Sequence, residues 1–381
     1  MAINQANKNK ITDKSLSPLP FPHLTGLKLK EDISLNDFVF NRIDEYGVLW
    51  VVTNIEGWWN PPSPDMPDIK RGWDDGSYDV KGRYQARQLT FEGSFLTTDP
   101  TLVAAARSRL VASINLVRTG AWLKTSENPT KASYVRLSGE PKITTVSARG
   151  RTDFSIGLRA ADPIKYGWND LDENGYFSEE VLCKSATPVR TGKVIINNDG
   201  NIEVPTILTV RGPIVGPAVI YDATNDQAIT ITGNLRNTTT KSITSRVLSN
   251  SVATLTTSTA HGVVVGDTVT ISGVGTGYDG EQVVISAPTS TTFTYEVLAA
   301  NSAATTVSGT LSYGPDILEI DTYNRDVFLN GNFEGARLKL EVYNDWIKLA
   351  PGSNEINFYD NGAANNSAAK LTIQYRPGWL A

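Results

Sequence analysis

Apolar and polar positions alternate with a period of two along most of this chain, which is the pattern of half-buried antiparallel strands. Leu89, Phe91 and Phe95 share one parity, with Thr90, Glu92 and Ser94 on the other. Phe154, Ile156 and Leu158 alternate with Ser155 and Gly157, and Leu338, Leu340 and Val342 with Arg337, Lys339 and Glu341. Ile229 with Ile231, Leu318 with Ile320, and Leu371, Ile373 and Tyr375 repeat the same period. One segment departs from it. Behind Asp99-Pro100, a side-chain acceptor followed by proline at a first helical position, Val103, Ala106, Leu110, Ile114 and Val117 recur at three- and four-residue spacing. That predicts a helix over residues 100–117, ended near Gly120, with its stripe packed on a sheet.

The residue types shift twice. The Asp162-Pro163 and Tyr166-Gly167-Trp168 stretch closes a first block, and the polar run Asn169 to Gly175 opens a second. From Arg236 to Tyr313 the chain turns rich in Ser, Thr, Val and Gly. Within it Val263, Val265, Val269 and Ile271 share a parity, as do Phe293, Tyr295 and Val297. We read a small β-domain inserted in a larger one, which a surface loop tolerates because closure entropy grows slowly with length. Excising it would join 229–235 to 314–321 as a hairpin. The domains expected are 1–168, 169–235 plus 314–381, and the insert 236–313.

Composition narrows the chemistry. The 381 residues carry 40 acidic and 35 basic side chains, one cysteine and two histidines. A net charge of −5 argues against general nucleic-acid affinity. A single cysteine excludes an internal disulfide and the usual zinc sets. No apolar run is long enough to span a bilayer, and the N-terminus lacks the apolar core of a secretory signal. Its Pro18-Leu19-Pro20-Phe21-Pro22 stretch reads as an extended arm able to lie on a neighbour.

Each candidate site has a plainer reading beside it. Trp58, Trp59 and Trp73 stand in a loop crowded with Pro, Gly and Asp; inter-subunit contact or core packing is favoured over sugar stacking. Asp170 to Gly175 matches the first half of a calcium loop, but Val181 stands where a bidentate Glu is needed, so a linker turn is expected. His23 and His261 have no nucleophile pattern near them, and Cys183 has no basic neighbour to activate it. Facing carboxylates of a glycosidase are not visible in a sequence. We expect no enzymatic activity and no cofactor or metal.

The chain resembles the distal tail proteins of long-tailed bacteriophages. The residues that carry the resemblance are Val48 to Thr53, Arg87 to Gly93, the helix from Pro100, Leu158 to Pro163, Pro205 to Val210, Leu318 to Thr322, and the Leu349-Ala350-Pro351-Gly352-Ser353-Asn354 turn. The resemblance implies a mainly β fold: an N-terminal ring-forming β-sandwich with one α-helix, then a galectin-like β-sandwich, here carrying the small inserted β-domain. It implies a virion component, assembled in the host cytoplasm, whose six copies form a ring at the tail tip. That ring would join the tail tube protein to tail-tip or fibre proteins and let DNA pass. Pro18, Pro20, Phe21, Pro22, Trp58, Trp59 and Trp73 are the expected assembly residues. The alternative is a carbohydrate-binding adhesin that meets host cell-wall carbohydrate through the insert, with His261, Tyr278 and Tyr295 as contacts.

Overall fold

The computed structural model describes residues 32–146, 150–185, 192–333, 335–360 and 366–381. Contacts divide the chain into two units, 1–176 with 200–202 and 376–381, and 177–199 with 203–375. The first division thus falls at Tyr176, eight residues beyond Trp168, and the last six residues return to the first unit.

The first unit is built on one eleven-stranded sheet. Its longest ladder pairs Arg87–Leu96 with Arg151–Ala160 over ten register positions, and the alternating residues expected to face inward there are buried. The main path runs from Phe38–Phe40 at one end to Arg42–Ile43 at the other. These strands are separated in sequence only by Asn41, so the sheet curls until its two ends meet. Asn41 takes the left-handed conformation, φ 60°, which an Asn side chain tolerates, and its Oδ1 accepts the Val52 N–H at 2.8 Å. Gly93 allows the close approach inside the curl. A Cβ there would lie 2.4 Å from Val51 O and 2.5 Å from the Phe154 ring.

The helix spans Leu102–Val117. Asp99 caps it from outside, its Oδ1 accepting the Thr101 N–H at 2.9 Å. Ala106, Leu110, Ile114 and Val117 are buried as the spacing predicts, with Ser113 added to the stripe, and they join the core of Trp50, Phe91, Phe95 and Ile156.

The second unit contains two antiparallel-rich sheets. One orders Phe177–Leu182, Lys370–Tyr375, Val204–Arg211, Ile317–Asp321 and Asp326–Leu329; the other has Lys184–Ser185, Gly352–Asp360, Ala218–Asp222, Gln227–Ile231 and Leu340–Tyr343. Leu208, Val210, Leu318, Ile320, Leu371 and Ile373 from the first sheet are fully buried, as are Ile220, Ile229, Ile231, Ile356 and Phe358 from the second. The first sheet thus buries one face of alternating residues, as in a β-sandwich, while in the second Ile356 to Asp360 are buried on both faces.

Three expectations change here. Gln227–Ile231 and Ile317–Asp321 lie in different sheets and do not form a hairpin. The insert is closed instead by its own first and last strands, Thr239–Ser249 and Ser302–Tyr313, which pair from Thr239 opposite Tyr313. Leu338 is exposed, because Gly335 (φ 73°) turns the chain into a short 3-10 helix, Ala336–Lys339, before the strand begins at Leu340. Val265 is exposed in a turn, whereas Val263, Val269 and Ile271 are buried.

The insert is a seven-stranded sheet with its own core of Ile243, Leu255, Ile271, Phe293, Tyr295 and Leu311. The Leu349–Asn354 turn has a clear cause. Asn354 is fully buried; its Oδ1 accepts the Ala350 N–H at 2.8 Å and its Nδ2 donates to Ala350 O at 2.8 Å and Gly352 O at 2.9 Å. One amide side chain closes the turn, and Gly352 supplies the positive φ of 88°.

Candidate assembly surface: the tryptophan hairpin and its buried anchor

The strand Leu49–Glu56 runs into Gly57, whose φ of 81° and the 2.3 Å from its would-be Cβ to Gln88 O admit only glycine without a shift. The chain then leaves the sheet as a long hairpin and returns at Arg87. Two short ribbons hold it together, Pro64–Asp65 against Arg83–Tyr84 and Ile69–Lys70 against Ser77–Tyr78. Arg71 N–H to Gly76 O, 3.2 Å, closes its tip.

Almost every residue of the hairpin is exposed. Trp73 at the tip is 100% exposed and Trp59 at the base 59%, and Met66, Ile69, Tyr78 and Tyr84 are exposed with them. Lone two-stranded ribbons are marginal in water, and the large apolar side chains of this hairpin find no burial in it.

The base is the opposite. Trp58 is fully buried in the first unit's own core, and its Nε1–H donates to Glu127 Oε1 at 2.6 Å. It is therefore a packing residue of this chain and offers no face to a neighbour. Arg87, also buried, donates to the carbonyls of Gly57 (2.9 Å), Trp58 (3.4 Å), Asn60, Pro163 (2.9 Å) and Leu380 (2.6 Å). Lys165, fully buried, donates to Trp58 O at 3.1 Å and has its ammonium 4.9 Å from the Trp58 ring centre and 5.5 Å from that of Trp59. These distances are those of cation–π contacts.

Electrostatics at the base follow from burial. Desolvation lowers the Arg87 pKa, and burial, reinforced by Lys131 and Arg87 and opposed by Glu127, brings Lys165 down to about 8. Burial pushes the Glu127 carboxyl up, but the bonds from Trp58, Thr125 and Lys131 outweigh it and leave Glu127 below its usual value. Two buried cations thus face backbone carbonyls and aromatic rings, with one carboxylate close by. The arrangement is suited to fixing a loop.

The other expected residues are placed as follows. Pro18, Pro20, Phe21 and Pro22, with His23, lie outside the described residues. His261, Tyr278 and Tyr295 are core residues of the insert, at most 5% exposed. His261 Nδ1 accepts the Val263 N–H at 3.0 Å, which leaves Nε2 to donate to Thr289 O and Thr292 O. Tyr295 O–H donates to Tyr278 O at 3.1 Å, and Arg246 lies 4.4 Å over the Tyr278 ring. Their rings are used up in packing, so none of the three is a platform for a sugar. Asp172 Oδ1 accepts the N–H groups of Asn174 and Tyr176, a turn in which that carboxylate serves the backbone. Cys183 is buried, and its thiol is pushed up to about 12.

Residues 281–379 match the family model described as the siphovirus-type tail component, C-terminal domain. No curated protein matches. Among solved structures, the chain is similar to the SPP1 Dit protein, described as a paradigm of the hub adsorption apparatus in phages infecting Gram-positive bacteria. Identity is 13% and the TM-score 0.44, over 90% of this chain and 98% of that one. It is also similar to a chain of the phage P2 baseplate in its activated conformation with Ca, at 9% identity and TM-score 0.35, over 90% and 97% of the two chains. Residues 281–379 are thus similar to the C-terminal domain of the siphovirus-type tail components, and that match covers about a quarter of the chain.

Proposed function

We propose that the protein is a non-enzymatic hub of the tail tip. In this reading its copies, six in number, close into a ring that joins the tail tube protein to tail-tip or fibre proteins and leaves a passage for DNA. A ring needs a heterologous contact, in which one surface of a protomer meets a different surface of the next. The observation that carries the reading is the hairpin of residues 57–86, rigidly held at a buried base and bearing exposed Trp59, Met66, Ile69, Trp73, Tyr78 and Tyr84. We assign it, with the N-terminal segment around Pro18, Pro20, Phe21 and Pro22, to the contact between neighbours. A mild net charge of −5 suits a lumen that does not hold DNA.

Native mass spectrometry and negative-stain imaging of the purified chain test this. The expected result is a closed ring that Trp73→Ala reduces to smaller species without shifting the unfolding midpoint, since the side chain is fully exposed and touches nothing among the described residues. A parent chain that stays monomeric at all concentrations and is absent from virions would sink the hub. Rings unaffected by Trp73→Ala, or by its combination with Tyr78→Ala, would remove the hairpin from the contact. The adhesin reading lacks support from His261, Tyr278 and Tyr295, which are buried.

A further inference from the structure

The insert is tied to the sandwich by two crossings of the chain, and its seven strands pair only with one another. At the crossings stands Arg236. Its Nη1 and Nη2 reach Asp267 of the insert at 2.6 and 2.9 Å, and its Nε and Nη2 reach Asp316, at the returning crossing, at 3.1 and 2.8 Å. Nη1 also donates to Gly262 O at 2.9 Å, and the Tyr313 ring lies 5.2 Å beneath the guanidinium. Asp316 is held from the sandwich side as well, by Asn330 Nδ2 at 2.9 Å, and by the Arg236 backbone N–H at 2.8 Å. The aspartates are mostly buried, with side chains 11% and 7% exposed. Beside this fork opens a cleft of about 490 Å³, walled by Val264, Val265, Leu329 and Asn332. Apolar packing therefore does not fill the space between the insert's 262–268 loop and the sandwich.

A two-crossing joint with an open cleft beside it would swing unless something braced it. We propose that Arg236 is that brace: its planar fork, gripping Asp267 on one side and Asp316 on the other, holds the inserted domain in one orientation on the sandwich. A guanidinium does this where an ammonium does not, because its five donors are fixed in one plane and can engage two carboxylates at once. The pair is worth more here than at an open surface, since both carboxylates are shielded from water. The consequence is directional. The insert presents one fixed face with respect to the sandwich, whatever that face meets, and does not act as a loosely tethered module. The inference stands independently of the ring.

Pulsed dipolar spectroscopy on the full chain tests it, with spin labels at Ser178→Cys on the sandwich and Ala300→Cys on the insert, both exposed. The native Cys183 is buried and stays unlabelled. The expected parent distribution is a single narrow distance. Arg236→Lys and Asp267→Asn, each leaving most of the joint in place, are expected to widen it at least twofold. Hydrogen exchange over Val252–Thr257 and Thr292–Glu296 is read in the same samples and should stay at the parent level. An unchanged width in both variants overturns the proposal. So does a widened distribution accompanied by lost protection in those strands, because Arg236 would then be needed for the insert to fold and not for its orientation.

Discussion

Replacing Arg87 by Met isolates the anchor of the hairpin. The wild-type guanidinium satisfies five carbonyls drawn from three separate stretches, 57–60, 163 and 380, and among the described residues it forms no ion pair. A methionine fills much of the volume but removes this donor from the carbonyls of Gly57, Asn60, Pro163 and Leu380, while Trp58 O keeps the Lys165 ammonium at 3.1 Å. Each buried unsatisfied group costs about 1–3 kcal/mol. Against this, the variant no longer buries a lone charge, a cost of several kcal/mol in the parent, and water entering the base recovers some bonds. The balance is a destabilisation of about 2–4 kcal/mol concentrated where the three stretches meet. At ~2 kcal/mol, local opening becomes about thirtyfold more frequent, since 1.4 kcal/mol is a factor of ten.

Hydrogen exchange by mass spectrometry reads this directly. Peptides covering Ile55 to Asn60, Pro163 to Trp168 and Gly378 to Ala381 should exchange faster by that factor, while the insert strands keep the parent rate. Urea unfolding followed by tryptophan fluorescence gives the total. Two results refute the reasoning: a midpoint within about 0.5 kcal/mol of the parent with exchange unchanged, or a rise in exchange spread evenly over the chain. The first would mean the carbonyls are served by water as well as by Arg87. The second would make Arg87 an ordinary core residue.

Two further predictions concern single side chains. Burial holds the Lys165 ammonium near pKa 8 in the folded chain, against 10.5 ordinarily, so between about pH 8 and 10.5 the unfolded chain binds more protons and wild-type stability rises with pH. Relative to Lys165→Met, the wild type should gain about 3 kcal/mol over that window; parallel stability–pH curves for the two would show that Lys165 is not desolvated. Asn354→Ala strips three bonds from the Leu349–Asn354 turn and should lower stability by roughly 2–3 kcal/mol in chemical unfolding, with Asn354→Asp failing to restore it because a carboxylate cannot donate to Ala350 O and Gly352 O.

Much of the architecture was legible because burial on one face writes itself into a period of two or 3.6. The strands around Phe91, Phe154 and Ile373 and the helix stripe from Ala106 to Val117 follow from that alone. The pattern fails where one short motif can serve two geometries. Arg337 to Val342 alternates correctly, yet its first half is a 3-10 turn set by Gly335. Strand order fails for a different reason: Ile231 and Ile317 are apolar whichever sheet they join, so excising the insert cannot say that they part. For the aromatic residues of the insert, parity is a better guide than side-chain chemistry. Phe293, Tyr295 and Val297 share a face, and that face is the core. The same parity held a signal for the anchor. Arg87 falls on the inward side with Leu89, Phe91 and Phe95, and a charged residue on a buried face needs partners. Its partners, carbonyls from 57–60, 163 and 380, are far apart in sequence, so no local motif could name them.

The hairpin and its anchor make one design when their energetics are set together. On the assembly reading proposed above, the projecting segment meets a neighbour, so it cannot bury its own apolar side chains and lacks the usual source of order. What remains is to fix both of its ends. Apolar packing at the base would do this only loosely in direction, because dispersion contacts are not directional. Hydrogen bonds from a planar guanidinium to carbonyls on both sides of Trp58, with an ammonium against the Trp58 and Trp59 rings, set the angle at which the chain leaves the sheet. The desolvation cost of Arg87 and Lys165 is then offset by a hairpin that is already oriented before any partner arrives, which reduces the ordering cost of association. In the assembly proposed above, the exposed tip and the buried cations answer one requirement: Trp73 stays available to a neighbour, and the direction in which the hairpin leaves the sheet is set at Trp58.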